Sequence, residues 1–198
     1  MGSLETISTT LDWLLLYMGK HPQVQAKLQA EIDALIGVRN QPKLSDRPNT
    51  PYVHAVIQEL LRCSSLIPLA GVAKRALEDA ELCGYKIPKN TLLIGNAYGV
   101  HHDPDLWGDP HVFRPERFLS ADGTVNKKMV AITLPFSVGK RSCFGESLAR
   151  DQIYLYVTSI FQRFSVRCSE DVTIQCTAGI ARAPKPFQIT ITKRFHEY

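Results

Sequence analysis

Long stretches of helical periodicity, separated by Pro and Gly, constrain the fold of this chain more than any other feature. Residues 4–18 are rich in Leu and Thr without a helix breaker, and Gly19 follows where a helix would end. Pro22 opens a second helical pattern that Gly37 closes. A third amphipathic pattern covers residues 53–61. These patterns predict three helices that pack together by their apolar faces.

The remainder of the chain is less regular. Short segments between residues 72 and 94 contain turn residues and predict small strands. Residues 101–142 show no long periodicity, which in a compact domain indicates a functional loop. Residues 143–164 predict a helix that is apolar on nearly all sides and therefore buried. Two alternating runs, at 172–177 and 187–192, predict half-buried strands, so the expected fold is mainly α with a minor β component.

Composition indicates one ordinary globular domain. The 198 residues are 44% hydrophobic and 21% charged, which suits a sizeable core and argues against a disordered, collagen-like or coiled-coil chain. The net charge of +4 comes from scattered basic residues, so no nucleic-acid partner is indicated. Five cysteines without a CxxC pair argue against a disulfide scaffold and a structural zinc site. The longest apolar run, Trp13 to Met18, is far shorter than the roughly 20 residues that span a bilayer.

One segment, FSVGKRSCFG from Phe136 to Gly145, combines groups that suit a metal-binding thiolate. Cys143 stands where the last long helix would begin, and the helix dipole and free N–H groups there favour a thiolate. Arg141 adds a positive charge, Gly139 permits a tight turn, and Gly145 leaves room for a flat group. A thiolate on such a loop is a good axial ligand for haem iron. The alternative is a buried structural cysteine.

The same segment matches the haem-binding signature F-x-x-G-x-R-x-C-x-G at every fixed position, and the chain therefore resembles the cytochrome P450 family. Glu59 and Arg62 supply the E-x-x-R pair of that family, and FRPERF at 113–118 supplies its arginine-bearing motif. GYKIPKNT and HHDPDLW resemble the animal microsomal members. The resemblance covers residues 1–198 but only the C-terminal portion of such a protein: the end of the distal helix, the E-x-x-R helix, the haem-binding loop and the terminal strands.

This resemblance implies haem b as the cofactor and Cys143 as its proximal thiolate ligand. Phe136 would pack beside the sulfur, and Arg141 would bind a haem propionate. Gly139 and Gly145 belong to the same cofactor-binding loop.

The resemblance also assigns roles to Ile67–Arg75, a segment that would pass over the haem edge and contact substrate. Many microsomal relatives carry His where this chain has Lys74, and Lys74 or Arg75 would still bind a propionate as a cation. Apolar side chains would line a pocket for a lipophilic substrate, with ordinary core packing as the alternative: Ile67, Leu69, Ala70, Val72 and Ile180.

A buried ion network is a further implication. Glu59, Arg62 and Arg117 would together fix the irregular stretch under the haem. Taken without the family, Glu59 and Arg62 lie three residues apart and off the apolar stripe, which is typical of a solvated surface pair.

Near the start, GSLETI aligns with the A/G-G-x-D/E-T-T/S motif of the distal helix. Glu5 and Thr6 would be the acid and alcohol that deliver protons for oxygen activation. Ser3 replaces the usual Gly and Ile7 replaces the usual hydroxyl residue, which puts the local helix kink in doubt. Without the family, Glu-Thr at a helix start is ordinary N-terminal chemistry.

Other polar and sulfur-containing residues receive structural interpretations. His101, His102 and Asp103 lack a third ligand at metal-binding spacing, and we interpret this segment as structural. The remaining cysteines are interpreted as packing residues: Cys63, Cys83, Cys168 and Cys176. Three lysines would face an acidic electron donor or simply solvent: Lys127, Lys128 and Lys140.

The implied function is a haem-thiolate monooxygenase of microsomal type. It would insert one atom of dioxygen into a lipophilic organic substrate, with electrons from NADPH through a flavoprotein reductase and with cytochrome b5 as an auxiliary donor. The full-length parent would sit in the endoplasmic reticulum membrane, facing the cytoplasm, with its anchor absent from this chain. The alternative is a truncated, non-catalytic fragment with at most haem-binding or interaction ability. Some family members rearrange peroxides without a reductase, but they tend to lack the acid–alcohol pair, so Glu5 and Thr6 argue against that activity.

Overall fold

The computed structural model describes residues 2–71, 73–177 and 179–195. In this part of the chain, helices predominate, in agreement with the predicted fold class. Their bounds are α1 Gly2–Lys20, α2 Pro22–Leu35, α3 Pro51–Ser64, α4 Ala97–His101, α5 Pro104–Trp107, α6 Lys127–Ile132 and α7 Glu146–Arg163. Single 3₁₀ turns cover Leu44–Asn49, Pro115–Phe118 and Gly139–Arg141.

Helix α1 lies at the centre of the core. It packs against α2, α3 and α7 and also against strands near the C-terminus. Its Trp13, Leu14, Leu16 and Met18 side chains are almost completely buried, as expected for the apolar run between those positions. The three predicted N-terminal helices are therefore confirmed. Burial of their apolar faces against α7 joins the two ends of the chain in one core.

The strands form four antiparallel two-stranded ladders within the described residues. They are β1 Lys74–Arg75, β2 Ala80–Leu82, β3 Tyr85–Ile87, β4 Leu92–Leu93, β5 Phe164–Cys168, β6 Cys176–Thr177, β7 Ala183–Pro184 and β8 Ile189–Lys193. The pairs are β1 with β4, β2 with β3, β5 with β8, and β6 with β7. The small strands expected between residues 72 and 94 are thus present.

The strands near the C-terminus are shorter than predicted. The strand expected at 187–192 corresponds to β8, which pairs with β5, and of the run expected at 172–177 only Cys176–Thr177 form a strand, β6. The second edge of β5 is closed by Gln25, whose amide donates to the Val166 carbonyl and accepts from the Val166 N–H, both at 2.8 Å. The sequence predicts no strand at β5, whose first residue, Phe164, falls at the end of the predicted helix because no breaker separates β5 from α7.

The expected extent and burial of the last long helix also need correction. Helix α7 begins at Glu146 and not at Cys143. Its buried residues all lie between Ile153 and Gln162 and on one face, whereas Leu148 and Tyr156 are 60% and 45% exposed. The first half lies beside the Cys143 loop at the edge of the core.

The stretch at 101–142 holds helices too short to produce a periodic pattern. Asp103 caps α5 by accepting the Asp105 N–H at 2.8 Å, and Asn126 caps α6 by accepting the Lys128 N–H at 3.1 Å. Such local caps hold short helices that have little apolar periodicity. Across the residues that the structure describes, we find no helix with the length and apolarity needed to cross a membrane.

Candidate functional site

A cleft of about 810 Å³ brings together residues from two of the segments that the sequence analysis singled out. It lies between the segment that follows α3 and the loop that precedes α7. Seven predicted site residues line it: Ile67, Ala70, Lys74, Arg75, Phe136, Arg141 and Cys143. The segment that would pass over the cofactor edge and the segment that would hold it thus face each other across one cavity.

The loop that carries Cys143 is closed by backbone hydrogen bonds. The Cys143 N–H donates to the Phe136 carbonyl at 2.9 Å, and the Ser142 N–H donates to the Gly139 carbonyl at 3.0 Å. Gly139 has φ +79°, a conformation that other residues adopt only with strain, so the glycine is needed for this turn. Cys143 is exposed at the end of the closed loop, on the cleft wall.

The position of Cys143 relative to the helix differs from expectation. Gly145 is the N-cap of α7, and the Glu146 N–H donates to the Cys143 carbonyl at 3.3 Å. Cys143 therefore precedes the helix instead of starting it. A Cβ placed on Gly145 would lie 3.9 Å from the Cys143 sulfur. The absence of a side chain there keeps the surface beside the sulfur bare.

Arg150 is a residue that sequence reasoning missed. Its guanidinium carbon lies 4.8 Å from the centre of the Phe136 ring, and its Nε donates to Glu146 at 2.8 Å. The Glu146–Arg150 spacing of four predicts their ion pair on a helix. Nothing in the sequence indicates the stacking on Phe136, which joins α7 to the cysteine loop.

Four positively charged side chains line the cleft: Lys74, Arg75, Lys140 and Arg141. No Asp or Glu occurs among its lining residues. Lys74 reaches across to the cysteine loop, where its Nζ donates to the Ser137 hydroxyl at 3.3 Å. Sequence reasoning placed Lys140 on a partner surface, whereas the structure puts it on the cleft wall. Lys127 and Lys128 are exposed on α6.

The Glu59, Arg62 and Arg117 side chains form one buried network. Arg62 Nε and Nη2 donate to the two Glu59 oxygens at 2.7 and 2.9 Å, and Arg117 Nε donates to Glu59 Oε1 at 3.0 Å. The Glu59 and Arg62 side chains are 0% exposed and that of Arg117 is 5% exposed. The alternative of a solvated surface pair is therefore wrong, because the geometry is that of a fully hydrogen-bonded buried ion pair.

The network extends into the irregular stretch. Arg62 Nη1 donates to the carbonyls of His101 and Pro110 at 2.6 and 2.9 Å. Arg62 and Arg117 also flank Trp107, with guanidinium carbons 4.9 and 5.8 Å from the ring centre. Helix α3 thereby holds the chain between α4 and the Pro115–Phe118 turn in place.

Thr6 lies beside the cleft and not in it. It lines a smaller cavity of about 100 Å³, which shares Ile67 and Phe136 with the cleft. The backbone carbonyl of Thr6 accepts the Thr10 hydroxyl at 2.7 Å. Glu5, one residue earlier on α1, is exposed. The acid therefore faces solvent while the alcohol faces the protein interior next to the cleft.

Two predicted pocket residues of the described chain, Leu69 and Ile180, do not join Ile67 and Ala70 at the cleft. Leu69 is 48% exposed and Ile180 is 89% exposed, and neither is among the lining residues. Val72 lies outside the residues that the structure describes.

The histidine segment and the other cysteines differ in their exposure to solvent. His101 is 1% exposed and hydrogen-bonded, and among the described residues no group of three His, Cys, Asp or Glu side chains could hold a metal. Cys63 is buried, and burial raises the pKa of its thiol. Cys83 is exposed in the β2–β3 turn, so its interpretation as a packing residue is wrong.

The residues of the cleft fit a haem. Its volume falls within the range of about 300–1,000 Å³ that is usual for cofactor sites. One wall offers an unpaired thiol as a soft ligand for iron, apolar surface surrounds it, and four cations match the two carboxylates of the porphyrin.

Comparison with known proteins agrees with this geometry. The family profile of cytochrome P450 matches residues 1–191. The chain is 42% identical over 176 residues to cytochrome P450 1A1 of Cavia porcellus, covering 89% of this chain and 34% of that protein. It is 37% identical over 195 residues to cytochrome P450 1B1 of Homo sapiens, covering 98% and 36%. For cytochrome P450 2J3 of Rattus norvegicus the identity is 41% over 182 residues, covering 91% and 36%.

The chain thus spans about a third of the length of these curated relatives. The profile match over nearly all its residues shows that the chain belongs to the cytochrome P450 family.

Proposed function

We propose that residues 1–198 form the C-terminal portion of a single cytochrome P450 domain and serve a haem-thiolate monooxygenase. The enzyme would insert one atom of dioxygen into a lipophilic organic substrate. The observation that carries this proposal is the position of Cys143, on a closed loop at the wall of a cationic cleft. When bound there, haem b would supply the redox-active iron that activates dioxygen.

Different residues around the cleft would bind different parts of that cofactor. Cys143 provides the thiolate, and the hydrogen bond from its N–H to Phe136 fixes the height of the sulfur in the loop. Lys74, Arg75 and Arg141 offer charge-assisted hydrogen bonds to the propionates. Ile67 and Ala70 exclude water from the opposite wall.

Glu5 and Thr6 would deliver protons. Glu5 is exposed to solvent, whereas Thr6 lines the small cavity that adjoins the cleft through Phe136 and Ile67. An acid outside and an alcohol inside, one residue apart on α1, suit a two-step relay in which the Thr6 hydroxyl passes a proton inward.

The electron donors and the location follow from the same proposal. NADPH would reduce the enzyme through a flavoprotein reductase, with cytochrome b5 as an auxiliary donor. The exposed Lys127 and Lys128 on α6 suit an acidic partner surface. The enzyme would act at the cytoplasmic face of the endoplasmic reticulum membrane.

A second candidate is haem binding without turnover by the chain on its own. It is favoured by the complete exposure of the Phe144 side chain, next to the ligand, and by the open position of Cys143. A site open to water holds a cofactor weakly and leaves reactive species unprotected.

One experiment separates these functions. The 198-residue chain is supplied with haem, reduced and treated with carbon monoxide, and its difference spectrum is recorded. A thiolate-type band that Cys143→Ser abolishes and Cys83→Ser retains supports ligation by Cys143. Cys83 is the matched control because it is exposed but lies outside the cleft. Product formation with a reductase and NADPH then distinguishes the monooxygenase from a haem-binding fragment. A wild-type spectrum with a histidine-type band or none contradicts thiolate ligation by these 198 residues on their own, and Cys143→Ser in the complete enzyme then tests the monooxygenase.

A further inference from the structure

His101 connects the buried ion network to the loop that presents Cys143. Its backbone carbonyl accepts from Arg62 Nη1 at 2.6 Å. Its ring, on a residue that is 1% exposed, bonds at both nitrogens: Nδ1 lies 2.9 Å from the Ser65 hydroxyl, and Nε2 lies 3.1 Å from the Leu134 nitrogen. One residue thus contacts α3, the segment after it and the start of the cysteine loop.

The partners of the ring determine its tautomer. The Leu134 N–H can only donate, so Nε2 must be the unprotonated acceptor. The proton therefore resides on Nδ1 and is donated to the Ser65 oxygen, whose own hydroxyl donates to the Arg62 carbonyl at 2.7 Å. Only a neutral imidazole in this tautomer satisfies every group, and burial keeps the ring neutral by lowering its pKa to about 4.

Leu134 is the upstream end of the cysteine loop. Its carbonyl accepts the Ser137 N–H at 3.2 Å, and the Phe136 carbonyl accepts the Cys143 N–H at 2.9 Å. From Leu134 to Cys143 the loop is therefore held by backbone hydrogen bonds, and the His101 ring is attached to its first residue. The same ring lines the small cavity together with Ser65 and Phe136, so it also packs beside the cofactor wall.

We propose that His101 is a positioning residue, which holds the Cys143 loop in register with the Glu59–Arg62–Arg117 network by accepting the Leu134 N–H. The consequence for iron ligation rests on the haem-thiolate function proposed above. The loop-holding role does not, because it concerns bonds within the protein. Without that acceptor, the loop keeps its own closing bonds but loses its attachment to the core.

The two ring nitrogens can be tested separately. In His101→Gln the side-chain oxygen can occupy the place of Nε2 and accept from Leu134, whereas in His101→Asn the shorter amide reaches only the place of Nδ1. His101→Leu removes both bonds. His102→Asn is the matched control, because His102 bonds to the Tyr98 carbonyl and has no contact with Leu134.

The first readout is amide hydrogen exchange in the 198-residue chain without haem. We expect the Leu134 amide to exchange about five- to tenfold faster in His101→Leu and His101→Asn, as for loss of one hydrogen bond, while the Cys143 amide keeps its protection because its bond to the Phe136 carbonyl remains. His101→Gln and His102→Asn should exchange like wild type, and the amides of α2 should not change in any variant. Unchanged Leu134 protection in His101→Leu would overturn the proposal, as would equal loss in His101→Gln. A variant whose α2 amides also lose protection has unfolded more widely, and the Gln–Asn comparison then decides.

The second readout is the carbon monoxide spectrum of the haem-loaded chain. The ratio of thiolate-type to other bands should fall in His101→Leu and recover in His101→Gln. A wild-type chain without a thiolate band contradicts haem ligation by these 198 residues, while the exchange result still decides the role of His101. A thiolate ratio that stays at the wild-type value in His101→Leu, despite faster exchange, overturns the link between loop position and ligation.

Discussion

The backbone N–H of Cys143 donates a hydrogen bond of 2.9 Å to the carbonyl of Phe136, seven residues earlier in the chain. This bond closes the loop on which the thiol is presented, and the ring of Phe136 is in turn covered by the Arg150 guanidinium of α7. A backbone hydrogen bond thus holds Cys143 in the loop, and Arg150 of the following helix holds the Phe136 ring. Each end of the loop can therefore be tested by a substitution that leaves the cysteine itself in place.

Gly139→Ala should lower the affinity for haem more than another substitution that causes the same loss in the free energy of unfolding. The residue has φ +79°, where a Cβ costs about 1–2 kcal/mol, and no atom lies within 4 Å of the added carbon. The turn will relieve this strain by changing φ, which moves Cys143 relative to the cleft. The measurements are thermal unfolding and a haem titration.

Gly123→Ala is the control for this strain. Gly123 has φ +81°, also with open space around the added carbon, but it lies outside the cleft. Both variants should lose similar stability, and only Gly139→Ala should show weaker haem binding. Equal haem affinity in the two variants would mean that the turn at Gly139 does not set the position of the ligand.

Glu59→Gln should be strongly destabilising. It removes the carboxylate that balances the buried Arg62 and Arg117, and an uncompensated buried charge costs about 3–5 kcal/mol. The Arg114 N–H also loses a charged acceptor at 2.9 Å. Urea denaturation followed by circular dichroism gives the change in the free energy of unfolding.

The matched surface variant is Glu116→Gln. Glu116 pairs with Lys27 at 2.6 Å, but the two side chains are 40% and 60% exposed. Loss of such an exposed pair costs about 0–1 kcal/mol. Comparable losses in the two variants would indicate that the Glu59 network is no more important to stability than an exposed pair.

The helices and the cysteine loop could be anticipated from the chain itself, because both depend on local patterns. Apolar spacing predicts α1, α2 and α3, and the fixed positions between Phe136 and Gly145 predict a loop that presents Cys143. The location of Lys140 on the cleft wall was not predictable, since it depends on how residues 67–77 fold back over the loop.

Long-range pairing accounts for most of the other differences. Strand β8 pairs with β5, which follows α7 directly in the chain. The residue pattern of neither strand indicates which strand it pairs with. The burial of Glu59 and Arg62 has the same origin: a charged pair on one helix is indistinguishable from a surface pair until Trp107 and Arg117 cover it. Strand pairing and the burial of charged side chains therefore depend on contacts between distant segments, which local residue spacing does not predict.

Acid should destabilise the chain over a defined range of pH. Burial, together with nearby positive charges, lowers the pKa values of His54, His101 and His102 from 6.5 to about 4. Between these values the unfolded chain binds a proton on each ring and the folded chain does not. The stability from these groups is therefore complete above pH 6.5, and it declines as the pH falls from 6.5 to about 4, with a limiting slope of about 1.4 kcal/mol per pH unit for each ring.

Urea midpoints at about pH 7.5, 6 and 5 measure this slope. His101→Gln removes one of the rings whose pKa is lowered while retaining the acceptor for Leu134, and it should flatten the dependence. A free energy of unfolding that stays constant over this range, or that rises toward acid, would show that the rings are protonated in the folded chain.

Thr6→Ala should uncouple oxygen consumption from product formation in the complete enzyme supplied with NADPH and reductase. The Thr6 side chain adjoins the cleft through the small cavity, and the proposed relay passes a proton through its hydroxyl. Without it, more of the consumed oxygen should end as peroxide, while substrate binding changes little. Ser8→Ala is the control, because Ser8 is an exposed hydroxyl residue on the same helix, bonded to the Glu5 carbonyl and outside both cavities. The ratio of product formed to oxygen consumed should fall several-fold in Thr6→Ala alone, and a ratio equal to that of Ser8→Ala would assign proton delivery to another group.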